Sequence, residues 1–377
     1  MAEKNAIRTH INASIDASPA GATIRIATYS FDYVDTTDKL IAAHGRGVKV
    51  QVLVDNHFTS TQLTRLVTTF GKDMTQSSFV RRCEQGCMSS KPSVMHAKIY
   101  LFSSAGSARL VSMVGSANLT SSSSASSWNN INTVVGNSTV YASLGKYFTD
   151  MLRDVDDPTY YRTTTSGTHM LYYYPRAAVT GTQTITILDV LNRVTCTGAS
   201  TGYGTGGRTI IRIAMFQWAA SRIDVAEKVI ALREKGCVVQ VITNGPLAGP
   251  GVLGELLQKS AKYGVMPVYD ALYDKDSNGI ADLYVHHKVI TVNGNWNGNS
   301  RTKLVYTGSQ NFTVNSTRQN NELIYRLSDL ASYNAYTQNI IDVRTNHSRR
   351  LYTAPTQTLS AAAMDELVSD DLSEGER

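Results

Sequence analysis

The chain has 377 residues, 42% of them hydrophobic and 18% charged, a composition that excludes an intrinsically disordered protein. This length suffices for one large domain or two medium ones, each with its own core. The 36 basic and 30 acidic residues give a formal charge of +6, which weakly favours an anionic partner such as a phosphate ester, a lipid surface or a nucleic acid. No apolar run reaches the ~18 residues of a transmembrane helix, so none is predicted.

The N-terminus and the four cysteines bear on the compartment. Residues 1–5 lack the apolar core of a signal peptide, which fits a cytoplasmic start or a mature chain whose leader was removed. Cys83 and Cys87 bracket a short loop, while Cys196 and Cys237 lie in the second half. A small, even number of cysteines favours secretion and two disulfides over four reduced thiols. We therefore predict a secreted protein, with a cytoplasmic one as the lesser alternative.

The predicted elements begin with a helix in residues 5–22, where apolar positions at helical spacing end at a Pro/Gly break. A strand (23–31), a helix (36–44) and a second strand (48–55) follow with short connections. Such a strand–helix–strand unit is right-handed and predicts a largely parallel sheet.

The same unit returns in the second half, with strands at 209–216 and 237–244 and a helix that begins at Ser221. Ile24-Arg25-Ile26-Ala27 and Ile211-Arg212-Ile213-Ala214 are 187 positions apart. Because similar offsets recur further along, we interpret the pattern as an internal duplication. It predicts an α/β fold of two homologous lobes, residues 1–165 and 166–377, joined in a turn-rich region.

Two copies of one motif carry the candidate chemistry. His96 and Lys98 stand two residues apart at the start of an apolar run, and His286 and Lys288 do the same 190 positions later. In a strand, residues two apart point to one face, so each His and Lys lie together. His287 then points to the opposite face and is predicted to pack.

Each copy is followed by Gly-Ser-x-Asn. The first supplies Ser116 and Asn118, and the second, 193 positions later, supplies Ser309 and Asn311. A pseudo-twofold axis between the lobes would bring equivalent residues together, because such contacts are isologous. One shared site of ammonium, amide and imidazole groups suits a tetrahedral phosphate anion. No cluster of carboxylates accompanies them, so no metal or other cofactor is predicted.

This arrangement resembles the phospholipase D superfamily, whose signature is His-x-Lys-x4-Asp followed by Gly-Ser-x-Asn, over about residues 5–345. It is most similar to the secreted actinobacterial-type members. The resemblance implies two α/β/α lobes that share one active site and a covalent phosphohistidine. By resemblance, His96 is the nucleophile, and His286 is the general acid and later the base. The chain departs from the signature at Ser103 and Asn293, where the motif Asp is expected.

The family also carries an acid after Gly-Ser-x-Asn that orients a histidine of the other lobe. Glu322 occupies that place in the second half, and we predict that it pairs with His96. In the first half we assign the equivalent place to Asn130, so His286 is expected to have an amide partner. The hypothesis is an asymmetric site.

Other features of the sequence are weaker evidence for a site or a ligand. The Gly-rich stretch 202–207 precedes a strand and is predicted to be a flexible loop. Residues 274–282 resemble part of a calcium loop, although a polar turn is favoured because Val285 replaces the final Glu. The acidic tail from Ala361 is predicted to fray into disorder. His57 and His169 are expected to be ordinary loop residues.

Three functions fit the motifs. The favoured one is a monomeric phosphodiesterase that acts on phospholipid head groups at a membrane surface, by hydrolysis or by transfer to an alcohol. Aromatic residues at 171–175 and 216–218 are expected to be exposed at the rim of its pocket. The alternatives are a metal-independent nuclease and a non-catalytic binding protein with the same fold.

Overall fold

The computed structural model of the protein describes residues 5–84, 86–89, 92–178, 185–273 and 282–354. The α-helices are α1 (Ala6–Asp16), α2 (Val34–Gly45), α3 (Thr61–Phe70), α4 (Ser121–Ala125), α5 (Ser138–Leu152), α6 (Thr186–Asn192), α7 (Ile223–Glu234), α8 (Val252–Leu256), α9 (Asn315–Arg318) and α10 (Leu330–Asn346). Short 3-10 helices span Ala220–Arg222 and Gly245–Leu247.

The strands of the first lobe are β1 (Thr23–Thr28), β2 (Lys49–Asp55), β3 (Phe79–Cys83), β4 (Ile99–Ala105), β5 (Ala108–Gly115), β6 (Ser127–Trp128) and β7 (Ile131–Val134). The later strands are β8 (Arg162–Ser166), β9 (His169–Tyr173), β10 (Val194–Thr195), β11 (Ile210–Met215), β12 (Val238–Thr243), β13 (Lys259–Ser260), β14 (Gly264–Val265), β15 (Val268–Asp270), β16 (Tyr284–Val285), β17 (Lys288–Trp296), β18 (Asn299–Gly308), β19 (Leu323–Leu327) and β20 (Arg349–Leu351).

The first lobe is built on a six-stranded sheet in the order β3-β2-β1-β4-β5-β7. Strands β1 to β3 are parallel, whereas β4, β5 and β7 are antiparallel to their neighbours. The expectation of a largely parallel sheet is therefore wrong. The physical reason is that a tight turn joins β4 to β5, and a tight turn can connect only antiparallel strands.

The second lobe repeats this order as β15-β12-β11-β17-β18-β19 within a ten-stranded sheet. The registers agree as well, since β11 is parallel to β12 and antiparallel to β17, as β1 is to β2 and β4. Four further strands, β8, β9, β10 and β20, extend the second sheet. The prediction of two homologous α/β lobes is confirmed.

Strand alternation separates an outer core in each lobe from one core that both lobes share. Ile26 of β1 faces the outer core under α1 to α3, and Ile213 of β11 faces the outer core under α6 to α8. Their neighbours Ala27 and Ala214 point the other way, into a central core that also contains α5 and α10. Each sheet thus has helices on both faces, and the lobes meet across buried apolar surface.

Polar residues in the sequence account for where three of the helices begin. The side chains of Ser60, Asn137 and Asp329 accept backbone N–H groups in the first turns of α3, α5 and α10. Such caps satisfy donors that have no partner within the helix.

The predicted disulfides are both present, between Cys83 and Cys87 and between Cys196 and Cys237. The hairpin of β8 and β9 pairs with β19 of the second sheet, so the expected division at 165/166 falls within β8. No helix in the described ranges is both long and apolar enough to cross a membrane.

Candidate active site

The catalytic-type motifs lie where the two lobes face each other. His96 and Lys98 immediately precede β4, while Lys288 begins β17 two residues after His286. Each motif is held by the opposite lobe: the His96 N–H donates to the Asn321 carbonyl, and the His286 N–H donates to the Trp128 carbonyl, both at 3.0 Å. This reciprocity is the isologous contact that a pseudo-twofold axis requires.

His96 is paired with a carboxylate of the other lobe, as predicted. Its Nδ1 lies 2.9 Å from Glu322 Oε1, and both side chains are fully buried. Ser309 donates its hydroxyl to the second carboxylate oxygen. Burial alone would raise the pKa of Glu322, but the charge and hydrogen bond of His96, the charge of Lys98 and the Ser309 hydroxyl together hold that pKa below its usual value.

His286 has an amide partner, but the residue is Asn129. His286 Nδ1 lies 2.8 Å from Asn129 Oδ1, which also accepts the Ser116 hydroxyl at 2.8 Å. The Asn129 amide nitrogen donates to the Ser123 carbonyl, and this bond fixes the amide so that its oxygen faces the imidazole. The assignment of Asn130 to this place is therefore wrong by one residue.

The sequence contained the signal for Asn129. Ser309 and Asn311 follow their first-half equivalents by 193 positions, and Glu322 minus the same offset is Asn129. The structure confirms the correspondence, since Ser116 contacts Asn129 as Ser309 contacts Glu322.

Asn130 serves the neighbouring histidine instead. Its amide nitrogen donates to His287 Nδ1 at 2.9 Å, and His287 Nε2 lies 2.8 Å from Asn339 Oδ1. Burial, with a smaller contribution from the charge of Lys288, lowers the pKa of His287 to about 4, so this ring is neutral near pH 7. His287 does face away from His286, as the strand geometry predicts.

The two lysines differ in what they contact. Lys98 Nζ donates to the His96 carbonyl at 2.7 Å, whereas Lys288 Nζ lies 2.9 Å from His286 Nε2. An ammonium can only donate, so His286 Nε2 accepts here and the ring proton is on Nδ1, facing Asn129. His286 is accordingly neutral in this arrangement.

Each motif also has an aromatic wall that sequence reasoning missed. Tyr29 lies edge-on to His96 at 5.6 Å between ring centroids, with Lys98 Nζ 5.7 Å from its centroid. Phe216 makes the same contacts with His286 at 4.6 Å and Lys288 at 4.7 Å. The two aromatics are 187 positions apart, so the duplication itself was the available signal.

The remaining motif residues are buried beside these groups. Ser116, Ser309, Asn118 and Asn311 all have less than 5% of their surface exposed. Neither amide atom of Asn311 has a hydrogen-bond partner among the described residues. Unsatisfied buried amides and buried ammonium groups are costly unless a ligand completes them, and an anion with several acceptor oxygens would do so.

The departures from the family signature keep a structural role. Ser103 Oγ accepts the Thr23 N–H at 2.8 Å, and Asn293 Oδ1 accepts the Gly204 N–H at 3.0 Å. Gly204 belongs to the predicted Gly-rich loop, which forms turns here. Both replacements therefore still anchor a backbone segment beside the motif strands.

Two expectations fail. The aromatics of 171–175 and 216–218 are buried: those of 171–175 and Trp218 fill the cores beneath the sheets, and Phe216 lies against His286 and Lys288, so none of them lines an exposed rim. His169 lies in β9, where its Nδ1 is 2.8 Å from the Tyr325 hydroxyl, and not in a loop.

The stretch that resembles a calcium loop, apart from Asp282, and the acidic tail lie outside the described residues. Within the described ranges, no three His, Cys, Asp or Glu side chains are grouped so as to hold a metal ion.

Comparisons with known proteins agree with the duplicated site. A family model described as "Cardiolipin synthase, PLD-like domain" matches residues 15–152 and 207–343, once in each lobe. No curated protein matches the chain. The solved structure of phosphatidylserine synthase from Haemophilus influenzae Rd KW20 is 13% identical with a TM-score of 0.64, over 100% of this chain and 94% of that one.

A second solved structure, polyphosphate kinase from Porphyromonas gingivalis, is 12% identical with a TM-score of 0.56. The match covers 97% of this chain but only 54% of the kinase, so the chain spans about half of that protein's length. At such low identities these likenesses show the fold alone.

Proposed function

The chain belongs to the phospholipase D-like domain family described under cardiolipin synthase, a family with a phosphodiesterase-type fold, and we propose that it is a phosphodiesterase that works through a covalent phosphohistidine. One observation carries this proposal. Two imidazoles, each held at Nδ1 by an oxygen of the opposite lobe, stand beside two buried ammonium groups. Metal ions and other cofactors have no part in the proposed chemistry.

The unequal partners suggest unequal roles. An imidazole that attacks phosphorus through Nε2 while Nδ1 keeps its proton becomes positively charged. A carboxylate stabilises that charge more than an amide does. We therefore assign His96, with Glu322, as the nucleophile. His286, with neutral Asn129, loses a proton more readily when charged and is the better general acid.

In the first step, His96 Nε2 forms a bond to phosphorus as the bond from phosphorus to the leaving oxygen breaks. Protonated His286 gives its Nε2 proton to that oxygen, so a neutral alcohol departs. Lys98, Lys288, Asn118 and Asn311 donate to the non-bridging oxygens and stabilise the charge that develops there. A bound phosphodiester draws Lys288 toward itself, which makes His286 Nε2 available for protonation.

In the second step, neutral His286 takes a proton from water or from an acceptor alcohol. The oxygen attacks phosphorus, the bond from phosphorus to His96 breaks, and the enzyme is regenerated. Water gives hydrolysis, whereas an alcohol gives transfer of the phosphatidyl group. Ser116 and Ser309 orient Asn129 and Glu322, the partners of the two histidines. Asn130 supports this arrangement through its hydrogen bond to His287.

We propose that the substrate is a phospholipid at a membrane surface and that the protein acts on it as a monomer. The support is the family description, which names an enzyme of cardiolipin synthesis, together with the modest positive charge. The two disulfides support secretion, as in the secreted actinobacterial-type phospholipases D that the motifs resemble.

The test offers three substrates in EDTA: phosphatidylcholine vesicles with added ethanol, single-stranded and plasmid DNA, and bis-(p-nitrophenyl) phosphate. Wild type is compared with His96→Ala, His286→Ala and the surface control His10→Ala. We expect lipid turnover that is abolished in the two active-site variants and kept in the control. Mass spectrometry of His286→Ala quenched during turnover of the activated diester should find a p-nitrophenylphosphoryl group on His96.

Other outcomes separate the alternatives. DNA cleavage without lipid turnover would make the chain a nuclease with the same site. A p-nitrophenylphosphoryl group on His286 in the His96→Ala variant would reverse the two histidine roles. A folded wild type that turns over none of the substrates would contradict an enzymatic function and leave a binding protein.

A further inference from the structure

A polar residue at the end of the second strand of each lobe holds the backbone just before the catalytic histidine. Asp55 ends β2, and its Oδ2 accepts the Met95 N–H at 2.6 Å. Asn244 follows β12, and its Oδ1 accepts the Val285 N–H at 3.0 Å. Both side chains are fully buried. The same contact occurs in both lobes, so it is a repeated feature of the site and not a peculiarity of one loop.

Met95 is the residue before His96, and its backbone is held from two directions. It forms a bridge with Asn321 of the opposite lobe, while Asp55 holds it from its own lobe. Asn321 is next to Glu322, the partner of the His96 ring. The segment Asn321-Glu322 therefore holds both the backbone and the imidazole of His96, and Asp55 holds the backbone just before them. A shift of Met95 would move Nε2 relative to the substrate phosphorus.

We call each contact between a side chain and this backbone, Asp55 with Met95 and Asn244 with Val285, a clamp. The two clamps differ in charge. Asn244 is neutral, and its amide nitrogen donates to the carbonyls of Phe216 and Val285. Asp55 is a buried carboxylate, and its Oδ1 accepts the His57 N–H at 2.9 Å and contacts His57 Nδ1 at 2.5 Å. A buried carboxylate needs a compensating charge or several donors. His57 supplies both.

His57 differs from the catalytic histidines in its access to water. Its side chain is 43% exposed, whereas the Asp55 side chain is fully buried. The hydrogen bond that His57 donates to Asp55 raises the pKa of His57, against a smaller opposing effect of burial. Among the described residues, Arg82 is also bonded to this loop, and it donates to the carbonyls of Asn56 and Phe58.

We propose that Asp55 is a positioning residue for His96, and that His57 is the proton-dependent counter-charge which keeps this clamp tight in the first lobe. The proposal rests on the function assigned to His96 above. Because the His57 pKa is raised in the folded protein, the compensation is complete below its ordinary pKa of ~6.5 and is lost as the pH rises through the raised value. The second lobe has no such dependence, since Asn244 carries no charge.

The test uses Asp55→Ala, Asp55→Asn, His57→Gln and the double variant Asp55→Asn/His57→Gln in the full chain. Asp55→Asn copies the arrangement of Asn244 and is the conservative rescue. Three measurements are made on each: kcat and KM on bis-(p-nitrophenyl) phosphate against pH, hydrogen exchange of the Met95 amide, and the His57 ring titration by NMR. Circular dichroism and thermal unfolding check that each variant is folded.

We expect Asp55→Ala to lower kcat by ~30-fold or more with KM within about twofold, because a small displacement of a catalytic group is costly. Asp55→Asn should recover most of that loss. His57→Gln should lower kcat a few-fold, on the order of the gain from a charge-assisted bond, only at pH values where His57 is charged. It should have no effect once Asp55 is Asn.

The two physical readouts do not depend on turnover. The Met95 amide should exchange faster in Asp55→Ala, and the His57 pKa should fall toward its ordinary value in Asp55→Asn. If Met95 exchange is unchanged in Asp55→Ala, or if His57 titrates alike with Asp55 and with Asn at position 55, the clamp is overturned. If both change while wild type is inactive on every diester, the proposed function fails, and with it the claim that the clamp serves catalysis.

Discussion

The two lobes repeat one backbone plan, but the surroundings of their two histidines differ in charge at two matched positions. The His96 side has two carboxylates, Glu322 at the ring and Asp55 at the backbone. The His286 side has amides in both places, Asn129 and Asn244. Duplication preserved the geometry of the hydrogen bonds, because an amide oxygen and a carboxylate oxygen accept a hydrogen bond from the same direction. It did not preserve their charge.

This difference teaches how one symmetric scaffold can give its two histidines different acidities. A carboxylate favours the charged imidazole, and an amide does not. A nucleophile that becomes cationic and an acid that must release a proton need these opposite settings.

The largest effect is expected from exchanging the ring partners. Glu322→Gln should lower kcat on the order of 10³-fold, because the charged phosphohistidine loses its carboxylate. Asn129→Asp should cost about tenfold and shift the alkaline limb of the pH–rate profile upward, since His286 would then hold its proton more tightly. Stopped-flow measurement of product release across pH checks both. Equal losses in the two variants would contradict the division of roles.

The disulfides should stabilise the two lobes unequally. Cys196 and Cys237 are 41 positions apart, whereas Cys83 and Cys87 are 4 apart. The entropy lost by the unfolded chain then predicts about 4 kcal/mol for the long loop and about 2 kcal/mol for the short one. Urea unfolding of the two double Cys→Ser variants measures the difference. A larger loss from the short loop would show that local native contacts, and not chain entropy, dominate.

His287 should make the second lobe sensitive to acid. The first lobe has Ala97 at the equivalent position, 190 residues earlier. The unfolded chain takes up a proton near pH 6.5, but buried His287 resists it until about pH 4. Stability should therefore fall by up to about 3 kcal/mol as the pH drops through this window. In His287→Ala the slope of the unfolding free energy against pH should be shallower there, whatever the absolute loss of stability. An unchanged slope would assign the acid sensitivity elsewhere.

The aromatic walls should give the smallest effect. Replacing Tyr29 or Phe216 with Leu removes the contact between the ring and the lysine, and we expect about a tenfold loss in kcat/KM for either. Tyr29→Phe makes the first lobe resemble the second and should remain within about twofold of wild type. Steady-state kinetics on the model diester decide this. A large loss in Tyr29→Phe would assign the role to the hydroxyl instead of the ring face.

Much of the fold and half of the site could be read from the chain alone. Constant offsets between the repeated strands and motifs predicted two homologous α/β lobes and the shared site, and the family resemblance implied the pair of His96 with Glu322. The same offsets also contained Asn129 and the pair of Tyr29 and Phe216, which a stricter alignment of the halves identifies. The strands and motifs were readable because strand alternation and motif spacing are local properties, and the duplication repeats them in both halves.

Tertiary structure decided what lies next to each motif. The sheet is mixed, the aromatics of 216–218 are buried, and His57 is paired with a buried carboxylate although its sequence neighbours indicate an ordinary loop. The charge that each histidine meets comes from residues 157 to 226 positions away, across the lobe interface. Such contacts depend on how two sheets pack, and no local pattern in the sequence fixes that packing. The sequence alone identified the candidate groups for the proposed chemistry, and the interface determined whether a carboxylate or an amide faces each histidine.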